Sequence, residues 1–199
     1  ATTLTVTVPV SSNYQNISVT NLAFNLTCYS NLPFSITFPG GCKPDFGAGI
    51  AYNNAGFGIE KIRTVDFDGD GNSDILVTNG IGASVGVSRV TTTAGVINLA
   101  ARTDYAIGGQ PGSICTGDID GDGKSDIITT RRNSTVLSVF RNTSTVGSIS
   151  FAARVDFTVG TDPYSVSIGD LDGDGRPDLA TANTGFAGSN NVSVLRNVS

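Results

Sequence analysis

The sequence predicts an all-β protein built of propeller-type four-stranded blades, about three full repeats preceded by a degenerate one. Three observations carry that expectation. The chain repeats itself with a 52-residue period, and short apolar strand patterns recur at matching offsets in every period. Gly, Asn, Ser and Thr fill the connections between them. A shared period of this length means stacked or circular units, because one such unit cannot bury its own apolar face. β-branched Thr, Val and Ile favour the pleated strand, and the turn formers favour short connections.

The repeat is clearest in three acidic segments. DFDGDGNSD begins at Asp66, DIDGDGKSD at Asp118 and DLDGDGRPD at Asp170, so the starts are 52 residues apart both times. The match extends beyond these loops. LAARTDY (99–105) corresponds to FAARVDF (151–157), and Pro111 to Pro163. With one inserted residue, FGAGIAY (46–52) takes the same place before the first loop. LSVFRN (137–142) recurs as VSVLRN (192–197). Residues 46–199 are therefore expected to form the repeat array, and residues 1–45 a strand-rich N-terminal segment.

Each unit reads as four strands. In the second, Ser113–Gly117 precedes the acidic loop, and Asp126–Thr130, Val136–Arg141 and Ile149–Phe157 follow it. Ile62, Ile114 and Val166 are equivalent, as are Ile75, Ile127 and Leu179, which keeps the same faces apolar in every unit. Helical spacings of three and four are missing. In the N-terminal segment, Thr3–Val10 alternates strictly, and NISVTNLAFNLTC and FSITF add further strand candidates. Residues from about 16 to 52 are expected to form a degenerate blade without metal.

Composition narrows the function classes. The 199 residues include no stretch of 18 apolar residues, so no membrane span is expected. The chain starts at Ala1, which reads as a mature chain whose targeting signal has been removed. Of 17 acidic residues, 12 lie in the three loops, leaving Asp45, Glu60, Asp104, Asp156 and Asp162 elsewhere. The net charge of −5 therefore marks the loops and implies no basic partner. The basic residues are scattered singly, apart from Arg131 and Arg132, which gives no case for nucleic acid. Without His, a thiol motif or a free carboxylate pair, no enzyme activity is expected.

Calcium chemistry explains the loops. Asp66, Asp68 and Asp70, then Asp118, Asp120 and Asp122, then Asp170, Asp172 and Asp174, are alternate residues whose carboxylates suit a hard cation taking six to eight oxygens. Gly71, Gly123 and Gly175 permit the sharp turn at the sixth position. Asn72, Lys124 and Arg176 vary freely at the seventh, as expected where only the backbone carbonyl is a ligand. Asp74, Asp126 and Asp178 are expected to close the shell directly or through water. Three bound Ca²⁺ ions follow. The twelfth position, Glu in an EF-hand, holds Val77, Thr129 and Thr181, and the flanks alternate like strands. These loops, with their strand-like flanks, resemble the FG-GAP or VCBS-type repeats, relatives of the integrin α-subunit propeller. In that family the loop joins the first two strands of a blade. The resemblance spans Phe46 to Asn197 and implies calcium ligation by the four Asp residues of each loop.

Cys28 and Cys42 are expected to form a disulfide, or else to be two buried thiols, and Cys115 to be a packed side chain. Calcium and a disulfide both point to a secreted or cell-surface location. Sequons at Asn16, Asn25, Asn133, Asn142, Asn191 and Asn197 permit glycosylation. The expected role is that of a structural or adhesive surface protein whose partner is itself, with a lectin-like glycan- or protein-binding module as the alternative. Because the third unit runs out after Asn191–Arg196, Thr3–Val10 is the candidate strand to complete it, within one chain or head to tail in a filament.

Overall fold

The computed structural model describes residues 18–21, 26–29, 47–52, 58–93, 95–185 and 190–199, and the chain divides into two compact units, Ala1–Ala51 and Tyr52–Ser199. In the first unit, β1 (Ser18–Asn21) and β2 (Leu26–Tyr29) pair antiparallel, with Val19 opposite Cys28. They fall on NISVTNLAFNLTC and the Tyr29 that follows it. The Thr3–Val10 strand, FSITF and the Cys28–Cys42 pairing lie outside the described residues.

The second unit holds one antiparallel sheet per repeat, and no helix occurs among the described residues. The first sheet runs β3 (Ile59–Val65), β4 (Asp74–Asn79), β5 (Ser84–Ser88) and, after a separate hairpin of β6 (Val90–Thr93) with β7 (Val96–Leu99), β8 (Thr103–Ala106). The second sheet orders β9 (Pro111–Gly117), β10 (Asp126–Arg131), β11 (Val136–Phe140) and β12 (Val155–Thr158). The third has three strands, β13 (Pro163–Gly169), β14 (Asp178–Asn183) and β15 (Asn191–Leu195). Every acidic loop thus joins the first and second strands of its sheet.

The sheets stack face to face, and two apolar cores lie between them. Because side chains alternate across a strand, Ile127 and Ile128 on β10 point to opposite cores. Ile127 joins Ile114 and Phe140 against Phe67, Leu76, Val85 and Val87 of the first repeat. Ile128 joins Cys115 and Leu137 against Val166 and Leu179 of the third. The middle sheet is thus buried on both faces, with Ile127 and Ile128 serving one core each.

The fourth strand is shorter than the 149–157 segment expected. Only Val155–Thr158 pairs with β11, with Leu137 opposite Phe157 and Val139 opposite Val155. Ile149 and Phe151 instead pack into the core between the first two sheets, where the Phe151 ring meets Phe67 and Tyr105 edge to face at 5.2 and 5.1 Å. The hairpin of β6 and β7 was not expected either. In the first repeat, residues 90–99 pair with each other, Val90 opposite Leu99, before the chain enters β8.

Candidate metal centres

Each acidic loop is wound by its own carboxylates. The first Asp accepts backbone N–H bonds from the fourth and sixth positions: Asp66 from Gly69 (2.8 Å) and Gly71 (2.9 Å), Asp118 from Gly121 and Gly123 (both 2.8 Å), and Asp170 from Gly173 (2.7 Å) and Gly175 (2.9 Å). Asp70, Asp122 and Asp174 accept from the backbone of Asn72, Lys124 and Arg176 at 2.8, 2.9 and 2.9 Å. This winding requires φ of +89°, +85° and +86° at Gly71, Gly123 and Gly175, a region that costs a side-chain-bearing residue about 1–2 kcal/mol.

The last Asp of each loop also clamps the loop to its sheet. Asp74, Asp126 and Asp178 are buried, and each bridges two backbone segments. One oxygen accepts from the second loop position (Phe67 at 3.0 Å, Ile119 and Leu171 at 2.9 Å). The other accepts from the residue just beyond the third strand (Val90 at 2.9 Å, Asn142 at 2.7 Å, Asn197 at 2.8 Å). The loop is thereby clamped to its sheet. Burial pushes the Asp74 and Asp126 carboxyls upward. The two backbone bonds oppose that rise in each case, and the neighbouring loop carboxylates add to it.

Metal-competent convergence occurs three times among the described residues. Oxygens of Asp66, Asp68 and Asp70, of Asp118, Asp120 and Asp122, and of Asp170, Asp172 and Asp178 lie within 4.8 Å of one another in their respective groups. Asp174 lies outside the third group and is held by Arg196 at 3.0 Å and Arg176 at 3.7 Å. The seventh-position side chains go elsewhere: Asn72 to Asp70 at 3.0 Å, Lys124 to the Ser144 carbonyl at 3.0 Å and Arg176 to Asp174.

Sequence reasoning missed the arginines and asparagines of the repeated Arg-Asn pair, whose recurrence in LSVFRN and VSVLRN was the available signal. Arg89, Arg141 and Arg196 stand at equivalent positions after the third strand. The Arg89 guanidinium bonds Asp68 at 2.5 Å and also Asp70, whereas Arg196 bonds Asp172 and Asp174. Arg141 approaches only Asp120, at 3.6 Å. Burial would raise the Asp70 carboxyl, but hydrogen bonds from Asn72 and the Arg89 charge hold it below its ordinary value. A guanidinium seated on these oxygens is a stand-in cation, so the donor set fits a hard cation in both charge and chemistry.

The asparagines link one repeat to the next. The Asn142 amide donates to the carbonyls of Phe67 in the preceding loop and Ser125 in its own, both at 2.9 Å. Asn197 repeats this toward Ile119 (2.8 Å) and Pro177 (3.1 Å). Gly147 also donates its N–H to Asp68 at 3.1 Å. The buried, fully committed Asn142 amide is therefore no glycosylation acceptor in the folded protein, while Asn133 and Asn191 are exposed. Cys115 is a free, buried thiol that burial pushes up to about 11, against the opposing charge of Arg63, so it is protonated at neutral pH.

These features define a β-repeat protein with an acidic, cation-competent loop between the first two strands of each sheet. Residues 66–129 and 118–181 each match the FG-GAP-like repeat, together covering more than half of the chain, and the chain belongs to that family. The two matches are offset by the repeat period itself. No curated protein matches the chain. The family is one of structural and binding modules, typically found in extracellular or surface proteins.

Proposed function

We propose that this chain is a secreted, calcium-stapled structural and adhesive module that associates with copies of itself head to tail. The observation that carries the reading is the linkage of each loop to two sheets. The last Asp ties the loop to its own third strand, and Asn142 and Asn197 tie the following repeat to its backbone. A cation that orders the loop therefore orders the stacking of sheets. Asp66, Asp68, Asp70 and Asp74, Asp118, Asp120, Asp122 and Asp126, and Asp170, Asp172, Asp174 and Asp178 would hold three Ca²⁺ ions, with the carbonyls of Asn72, Lys124 and Arg176. Bound calcium supplies charge neutralisation and rigidity, with no catalytic step. Extracellular modules of this kind bind with dissociation constants of about 10⁻⁴–10⁻³ M.

The test is a calcium titration by calorimetry on the full chain and on Asp120→Ala. Three ions are expected for the first and two for the second. Equal stoichiometry in both would overturn the assignment of the second loop.

A further inference from the structure

The first and second acidic loops are joined by one stretch of chain, residues 142–151 of the second repeat. This stretch doubles back on itself. Asn142 bridges Phe151 and Thr145 bridges Ser148, around a turn in which Gly147 has φ of +84°. Inside it, the Thr143 N–H donates to the Ser150 carbonyl at 2.9 Å and the Ser150 N–H to the Ser144 hydroxyl at 3.0 Å. These bonds make it a stiff unit that carries a displacement from one end to the other.

One end of the unit is held by the second loop. The Lys124 ammonium, at the seventh position, donates to the Ser144 carbonyl at 3.0 Å. Asp126, at the ninth, accepts the Asn142 N–H at 2.7 Å. The other end sits on the first loop. The Gly147 N–H donates to Asp68 Oδ2 at 3.1 Å, and the Asp68 side chain is fully buried there. The Asn142 amide holds the Phe67 carbonyl, and the Phe151 ring packs edge to face on the Phe67 ring. Asn72 and Arg176, the counterparts of Lys124, reach carboxylates of their own loops and make no such crossing.

Lys124 has two competing partners. It is exposed, on a flexible stem, two residues from Asp122, whose carboxylate accepts its backbone N–H at 2.9 Å. In an empty loop the converged carboxylates of Asp118, Asp120 and Asp122 draw the ammonium away from Ser144. A divalent cation seated on them cancels that attraction, repels the ammonium and fixes the Lys124 carbonyl as a ligand. Lys124 then stays on Ser144, residues 142–151 stay seated, and Gly147 keeps Asp68 in place for the first cation.

We propose that Lys124 is a positioning residue for the first cation site, and that filling the second site raises the affinity of the first through residues 142–151. This coupling rests on the calcium reading above and gives the two sites an order. The second, where Arg141 stands 3.6 Å from Asp120, fills ahead of the first, where Arg89 bonds both Asp68 and Asp70. Linkage makes the effect reciprocal, so an empty first site weakens the second by the same factor.

The experiment titrates calcium into the isotope-labelled full chain and follows the Gly71, Gly123 and Gly175 amides by NMR, which report the three loops separately. Asp120→Ala is expected to raise the midpoint of the Gly71 response by about tenfold, and Asp66→Ala that of Gly123 equally. Lys124→Met separates positioning from charge and stability, because an exposed substitution leaves the fold intact. Loss of the ammonium tightens the second site, since a positive neighbour opposes the cation, and weakens the first by roughly threefold. Lys124→Arg, which keeps the charge and the donor, restores both. Opposite shifts of Gly123 and Gly71 in Lys124→Met support the coupling. Shifts of one sign at both, or an unmoved Gly71 midpoint, overturn it and leave the calcium sites standing. Amides indifferent to calcium up to about 10 mM, beyond the weakest affinity of extracellular modules, overturn the calcium reading and the coupling together.

Discussion

At the scale of single residues, the arginines after the third strands compete for the oxygens that the proposed cation would take. Arg89 occupies oxygens of both Asp68 and Asp70, so calcium must displace it or share them. Arg141 reaches one oxygen at 3.6 Å. The second loop is therefore expected to bind calcium more tightly than the first. Arg89→Gln is expected to tighten the first site by about tenfold, equivalent to ~1.4 kcal/mol. Site-resolved calorimetry checks this, and an unchanged or weaker first site refutes it. Away from the loops, Asp162 accepts the Asn133 N–H at 2.9 Å and the Thr184 hydroxyl at 3.0 Å. The Asn133 bond, ahead of the opposing effect of burial and aided by Thr184 and Arg132, holds its carboxyl below the ordinary value. A depressed folded value means the contribution is complete above the unfolded value and lost as pH falls through the folded one. Asp162→Asn should therefore flatten the fall in stability below about pH 4. Urea unfolding across a pH series reads it, and an unaltered acid limb counts against the role.

At the scale of elements, the first strands of neighbouring sheets approach closely. A Cβ at Gly112 on β9 would stand 2.7 Å from the Thr130 hydroxyl and 2.8 Å from the Pro163 carbonyl oxygen at the start of β13. The Pro163 oxygen is backbone and cannot swing aside, so Gly112→Ala forces the third sheet away from the second. Overpacking of this kind costs about 1–3 kcal/mol. Gly169→Ala is the control, because no atom lies within 4 Å of its Cβ position and its φ is ordinary. Denaturant midpoints should fall for the first and hold for the second, and equal midpoints would remove the steric account.

At the scale of the whole molecule, the acidic loops and the stacking of sheets are physically linked. Asn142 grips the first loop from the second repeat, and Asn197 grips the second loop from the third. A ligand that binds only the folded loop stabilises by about 2.7 kcal/mol per site at 100 times its dissociation constant. Chelation is therefore expected to lower the melting temperature of the array as a unit, without releasing single repeats. Calorimetric scans with calcium and with chelator test this. A melt indifferent to chelator, or one that splits into separate transitions, would show that the loops and the stacking are independent.

The local chemistry was legible in the sequence because it is local. Nine-residue loops with Asp at alternate positions and Gly at the sixth wind on themselves, so their spacing alone announced the carboxylate groups, and the alternating apolar residues announced β3, β9 and β13. The separate duty of Asp74, Asp126 and Asp178 was not legible, since their partners Val90, Asn142 and Asn197 lie 16 to 19 residues away along the chain. Nor were the seats of Arg89 and Arg196, or the packing of Ile149 and Phe151 into the core ahead of the short β12. Each of these depends on which backbone groups and side chains a neighbouring sheet leaves unfilled. That is decided when the sheets stack, and a repeat pattern read along one dimension carries no record of it.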